Sequence, residues 1–243
     1  MQEMMAVDWA DLPKEVPLAV LVSGGLDSAV LLGLAAQRQR LVQPIYIRCG
    51  LCWETVELSY LRHFLQALDQ PSLRPVVILD LPVADLYDRH WSLDGRNVPG
   101  AASADDAVYL PGRNVLLLSK ALLWCHLHQV CVLALGTLRG NPFADATPTF
   151  MQRMADLVNQ ACQAQLRVLQ PLRLLDKSQV LALGRHLPLR WTFSCIAPQN
   201  HRHCGRCNKC AERQRAFAQC ALPDPTEYAT EPSNYPDKQA TEH

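Results

Sequence analysis

Long apolar runs are missing from this chain: no stretch reaches the roughly 18 consecutive apolar residues that suggest a membrane span. An excess of charge of one sign is missing too, since Lys+Arg and Asp+Glu stand at 23 each in 243 residues. That balance supplies no bulk basic field to attract nucleic acid and argues for a small-molecule partner. The N-terminal stretch carries acidic residues and lacks the charged-then-apolar order of a secretory signal, so a cytoplasmic location is expected. In that compartment the ten cysteines read as thiols or metal ligands and not as a disulfide framework. No internal repeat is visible, and the G-x-x-x-x-G-K-S/T pattern of a Walker A loop is absent.

What is present fits a globular α/β chain. Apolar residues make up 49% and charged residues 19%, and the length suffices for one large domain or a domain with a small appendage. Residues 17–22 (PLAVLV) form a short apolar run that stops at a Ser-Gly-Gly turn, as a buried parallel strand would. An apolar helix follows from Ser28 to about Ala36. Next come a strand over 44–48, a helix over 54–68 and a strand over 75–79. Residues 81–110 are less regular. Regular structure resumes with a helix from Asn114, read as its N-cap, to about His128. A strand over 130–135, a Pro-rich loop over 136–148, a helix near 150–163 and a strand near 167–172 complete the alternation. Asp176 then caps a helix to about Arg185. Such alternation predicts an open, doubly wound parallel sheet with helices on both faces. From Leu222 onward four prolines and no apolar period predict a disordered tail over 222–243.

The turn after the first strand carries the first chemical signal. Ser23-Gly24-Gly25-Leu26-Asp27-Ser28 lies where ligands bind in such sheets, at the carboxyl end of a strand and the N-terminus of a helix. Two glycines let the backbone approach a polyphosphate, and the hydroxyls of Ser23 and Ser28 add donors. Asp27 reads either as a helix cap or as a ligand for Mg²⁺ bridging the phosphates. The second signal is C-x8-C-x2-C-x2-C at Cys195, Cys204, Cys207 and Cys210. Four thiolates at this spacing describe a closed structural Zn²⁺ site. Zinc is favoured over an iron–sulfur cluster because no cysteine continues the x3-C-P register after Cys210. His201 and His203, inside the loop, read as solvated. Cys49 and Cys52 read as packed thiols.

The six-residue turn resembles the SGGxDS loop of the PP-loop N-type ATP pyrophosphatases, an adenine nucleotide alpha hydrolase-like fold. Three further stretches resemble one branch of that superfamily, the 7-cyano-7-deazaguanine synthases of queuosine biosynthesis. Residues 109–114 (YLPGRN) are similar to that family's V-P-G-R-N segment. Pro171-Leu172 with Asp176-Lys177-Ser178 is similar to its PL…L-T-K-x-E-I stretch. Thr192-Phe193-Ser194-Cys195 and residues 204–210 are similar to its T-x-S-C…C-G-x-C-x-x-C zinc segment, and Arg213, Arg215, Ala216 and Phe217 match an R-x-R-A-F ending.

The resemblance implies an organisation: a leader over 1–16, a PP-loop domain over 17–190, a four-cysteine zinc segment over 191–221, then the tail. It implies an ATP-dependent carbon–nitrogen ligase that converts 7-carboxy-7-deazaguanine and ammonia to a nitrile through an acyl adenylate, with AMP and pyrophosphate as products. Val22, Ser23, Gly24, Gly25, Leu26, Asp27 and Ser28 would hold ATP with Mg²⁺. Arg113 would hold a phosphate or the substrate carboxylate, and Lys177 would neutralise the departing pyrophosphate. These two with Asp27 form the expected catalytic set. Arg113, Asn114 and Asp145 form the expected substrate set, with Asp145 pairing a guanine-like edge. The family precedent permits a homodimer. Two stretches depart from the family pattern, residues 48–54 (RCGLCWE) and 140–148 (GNPFADATP), both at strand ends where substrate should sit. They leave open a different carboxylate or amine as acceptor. Thiolation of tRNA and a non-enzymatic zinc module are the competing readings.

Overall fold

Leu18, Ala19 and Val20 are completely buried because β1 (Leu18–Leu21) lies at the centre of a five-stranded parallel sheet. The computed structural model describes residues 7–230. The strand order is β3-β2-β1-β4-β5, with β2 at Val42–Arg48, β3 at Val77–Asp80, β4 at Val132–Ala134 and β5 at Arg167–Leu169. Leu18 is level with Val42 on one side and Val132 on the other. The period-two alternation of β1 sends Leu18 and Val20 into one core layer and Ala19 into the other.

The first layer packs α1 (Leu26–Arg38), α7 (Lys177–Gly184) and α8 (Asn208–Gln219) with the apolar stripe of α2 (Glu54–Leu68). The second packs α5 (Arg113–Leu127) and α6 (Pro148–Cys162). The sheet is therefore doubly wound, as expected. Where α1 meets α7 the backbones approach closely: a Cβ on Gly33 would stand 2.6 Å from Leu187, and one on Gly184 would overlap Val30. Between β3 and α5 the chain forms two single-turn helices, α3 (Ala84–Tyr87) and α4 (Trp91–Asp94). Among the described residues no helix is long and apolar enough to cross a membrane.

Two local expectations change. Asn114 does not cap α5. Gly112, at φ +71°, takes that place, because the Pro111–Gly112 turn starts the helix earlier, and Asn114 falls in the first turn. The stretch from Leu222 is not free chain through Thr230. Asp224 and Thr226 meet the guanidinium of Arg213, the Tyr228 hydroxyl donates to Asp224 at 2.6 Å, and Ala229 N–H donates to the His203 carbonyl at 2.8 Å. A buried cation gives this short proline-rich segment a fixed partner. Residues 231–243 of the expected tail lie outside the described residues, as do residues 1–6 of the expected leader. The rest of that leader is anchored, since Gln39 donates to the carbonyls of Pro13 and Val16.

Candidate active site

The Ser23–Ser28 turn is built by its own hydroxyls. Ser28 Oγ accepts from Ser23 N–H at 3.2 Å and donates to the Gly25 carbonyl at 3.1 Å. Gly24 sits at φ +74°, and a side chain there would press on Glu57 at 3.2 Å, so this position demands glycine. Its carbonyl accepts from Phe193 N–H at 2.7 Å, which ties the turn to the segment leading into Cys195. Gly25 is the N-cap of α1 and lends no side-chain cap, which leaves the first-turn N–H groups of α1 aimed at the cleft. Gly136, after β4, lets the two diverging strand ends close up: a Cβ there would stand 3.1 Å from the Asp27 and Ser28 backbone. The cleft thus opens where the chain turns from β1 toward β2 on one side and β4 on the other, the switch point of the sheet.

The cleft has two lobes that share Ser23, Gly25, Asp27, Glu57 and Arg113. One lobe runs over the strand ends past Val22, Tyr46, Asn114, Gly136 and Thr137. The other runs toward α7 and α8 past Trp53, Lys177, Phe193, Lys209 and Glu212.

Charge in the second lobe is organised around Lys177. Its Nζ meets Asp27 Oδ2 at 2.8 Å and Glu212 Oε1 at 3.3 Å, while Lys209 holds the other Glu212 oxygen at 2.6 Å. Burial works against the Lys177 charge, but Asp27 and Glu212 outweigh it and raise the ammonium above its ordinary value. Burial likewise opposes the Glu212 charge, yet the two lysines hold its carboxyl down at about 2. Asp27 is not the cap of α1. Its Oδ2 is taken by Lys177, and its Oδ1 is buried with no partner among the described residues, the unfilled oxygen a cation bridging phosphates would use. Arg113 Nε is also buried and unpartnered.

Of the remaining expected residues, Asn114 lines the strand-end lobe. Asp145 does not line either lobe. It lies buried behind α5, where its Oδ2 accepts from Asn114 N–H at 3.3 Å and its carbonyl from the Asn114 amide at 3.0 Å. It therefore steadies the start of α5, and so Arg113, from behind.

The four cysteines converge. All four sulfurs lie within 4.8 Å of one another, with Cys204–Cys210 and Cys195–Cys207 each at 3.9 Å. Tetrahedral ligation with metal–sulfur bonds of about 2.3 Å requires sulfurs about 3.8 Å apart. The site fits such an ion. Backbone N–H groups of Cys204, Cys207 and Cys210 point at the sulfurs of Cys195, Cys204 and Cys207, as thiolates prefer. Neighbouring sulfurs, Cys195 first, draw Cys204 below the ordinary thiol range and Cys207 to about 7. His203 is not solvated, as its position in the loop suggests, but buried. Its Nε2 accepts from Ser194 N–H at 3.1 Å.

The model of the family described as Queuosine biosynthesis protein QueC matches residues 18–221. The chain belongs to the QueC family. Relatives include the 7-cyano-7-deazaguanine synthase of Anaeromyxobacter dehalogenans (strain 2CP-C), 32% identical over 224 residues that cover 86% of this chain and 94% of the relative. The protein of the same name from Xanthomonas campestris pv. campestris (strain B100) is 31% identical over 221 residues, covering 86% and 96%. Among solved structures, the U34-tRNA thiolase NcsA from Methanococcus maripaludis with its 4Fe–4S cluster aligns with a TM-score of 0.47 at 14% identity, over 82% of this chain and 64% of that one.

Glu57, Tyr46, Trp53, Lys209 and Glu212 are cleft residues that the motifs do not single out. One signal was available for Glu57: with Glu54 it sits on the stripe of α2 that continues through Leu61, Phe64 and Leu68, where acids are out of place.

Proposed function

We propose that this QueC family member converts 7-carboxy-7-deazaguanine, ammonia and ATP to 7-cyano-7-deazaguanine, with AMP and pyrophosphate as products. The observation that carries the reading is the convergence of Asp27, Lys177 and Arg113 on the Ser-Gly-Gly turn, with one oxygen of Asp27 and one nitrogen of Arg113 buried and unpartnered. Buried polar atoms without partners are costly, and a polyphosphate with its cation supplies both missing partners. The names of the relatives supply the acceptor.

In this scheme the turn and the first-turn N–H groups of α1 hold the β- and γ-phosphates, with Val22 and Leu26 packed beneath them. Asp27 would hold Mg²⁺, which would supply positive charge to the phosphates. A carboxylate oxygen of the substrate attacks the α-phosphorus, the bond to pyrophosphate breaks, and Lys177 offsets the charge on the departing group. Arg113, on the wall common to both lobes, steadies the α-phosphate or the incoming carboxylate; Asn114 borders the nucleotide, and Asp145 keeps α5 in place. Ammonia then displaces AMP from the acyl carbon to give the amide. Adenylation of the amide oxygen by a second ATP, with loss of the nitrogen's protons and AMP, gives the nitrile. The four cysteines hold a structural Zn²⁺ outside this chemistry.

The test is pyrophosphate release from ATP with 7-carboxy-7-deazaguanine and ammonium, with product mass read in parallel. Appearance of the nitrile with two pyrophosphates per product is expected. ATP binding with no carboxylate-dependent pyrophosphate release would overturn the assignment of the acceptor.

A further inference from the structure

Ammonia must lose a proton as it becomes an amide nitrogen, and a carboxylate in the cleft is placed to take it. Among the described residues four carboxylates line the cleft, and three are committed. Asp27 and Glu212 are paired to Lys177 and Lys209. Glu54 is saturated by two backbone donors, Cys49 N–H at 2.6 Å and Gly50 N–H at 2.8 Å. The fourth, Glu57, forms part of the wall that both lobes share. Among the described residues it pairs with no cation, and a single hydrogen bond reaches its carboxyl, from the Tyr46 hydroxyl to Oε2 at 2.7 Å.

We infer that Glu57 is the general base of the amide-forming step, with Tyr46 as the residue that orients it. This rests on the adenylation chemistry proposed above. As the C–N bond forms and the C–O bond to AMP breaks, the nitrogen's proton passes to the Glu57 oxygen not held by Tyr46; AMP leaves with the electron pair, and the proton escapes to solvent through the open cleft.

The surroundings suit that task. Burial pushes the Glu57 carboxyl up to about 8, against the opposing pull of the Tyr46 hydrogen bond and of Arg113, while Glu54 adds to the rise. A base with affinity for protons near the working pH is an efficient acceptor. Burial, with Glu57 itself, raises the Tyr46 phenol, so Tyr46 stays protonated and donates. Arg113 from α5, Glu54 from α2 and Tyr46 with Cys49 from the β2 end are the titratable and charged groups that face this carboxyl.

The experiment separates the two halves of the reaction. Carboxylate-dependent exchange of labelled pyrophosphate into ATP, without ammonia, reads adenylation alone; amide formation with ammonium reads the second half. E57Q, nearly isosteric, is expected to keep exchange within about threefold and to lose amide formation by on the order of 10²–10⁴-fold. Hydroxylamine, neutral at pH 7 and a stronger nucleophile, should restore trapping of the adenylate in E57Q. Y46F removes a hydrogen bond that favours the carboxylate, so its pH–rate profile for amide formation should move to higher pH than that of the unaltered protein. The ammonia fraction is the same for both, so the shift belongs to the protein.

Equal losses in both halves for E57Q, undiminished amide formation, or an unmoved Y46F profile would each overturn the assignment. Absence of exchange in the unaltered protein would instead remove the adenylation reading itself, and this inference with it.

Discussion

Replacing Lys177 by Met should destabilise the protein at pH 7 by about 1–2 kcal/mol, and the loss should fade in acid. Glu212 is held at about 2 against an ordinary 4.5, a drop worth roughly 3 kcal/mol at about 1.4 kcal/mol per pH unit. Lys177 supplies only part of that, since Lys209 binds the same carboxylate, and the Glu212 side chain is 34% exposed, so solvent screening reduces it further. The sign follows from the depressed value. The stabilisation is complete above about 4.5, where the unfolded chain has ionised, and is lost as pH falls toward 2. Urea unfolding of both proteins between pH 7 and pH 3 measures it, with near-ultraviolet circular dichroism to confirm that the variant folds. A difference that is the same at pH 3 as at pH 7, or no difference at pH 7, would refute the electrostatic account of this cluster.

Glu57 has the opposite sign. Its raised value costs stability increasingly from pH 4.5 to about 8, so E57Q should be more stable than the unaltered protein by roughly 3 kcal/mol at pH 7 and equal to it near pH 4, read by the same titration. G184A should cost about 1–3 kcal/mol, because its methyl group meets Val30 at the α1–α7 crossing; thermal melting of the variant measures it. D145N should cost about 0.5–1 kcal/mol by weakening the charge at the start of α5, seen as a lower denaturation midpoint. C210S should remove the bound metal, counted by elemental analysis, and weaken ATP binding at least tenfold by calorimetry, since Lys209 and Glu212 ride on the helix that the cysteines anchor.

How far the sequence could be read depends on the range over which each feature is decided. The ends of α2 at Glu54 and Leu68 match the expected span because an apolar stripe marks the whole helix. Several strand ends miss by a residue or more, although β2 ends at Arg48 and β5 begins at Arg167 as expected: β5 stops at Leu169, paired with the last residue of β4. The cap of α5 moved from Asn114 to Gly112 because the positive-φ glycine starts the helix earlier. The Ser-Gly-Gly turn and the cysteine cluster were legible since each is local or regularly spaced. The rest of the cleft joins distant positions, as in Lys177 and Asp27, 150 residues apart. Spacing alone carries no trace of that meeting, nor of Asp145 turning its carboxylate to a helix start and away from the cleft.

Helix α8 and its N-cap Cys207 serve three targets on one short stretch. Cys207 and Cys210 turn toward the sulfur cluster, Lys209 and Glu212 toward the cleft, and Arg213 into the core beside Thr192. Successive residues of a helix are set about 100° apart, so one inserted or deleted residue would rotate every later group off its target. Substitutions can still tune the site, but the length of this segment is locked. Any descendant that takes a new substrate must therefore change its strand-end loops and leave this helix in register.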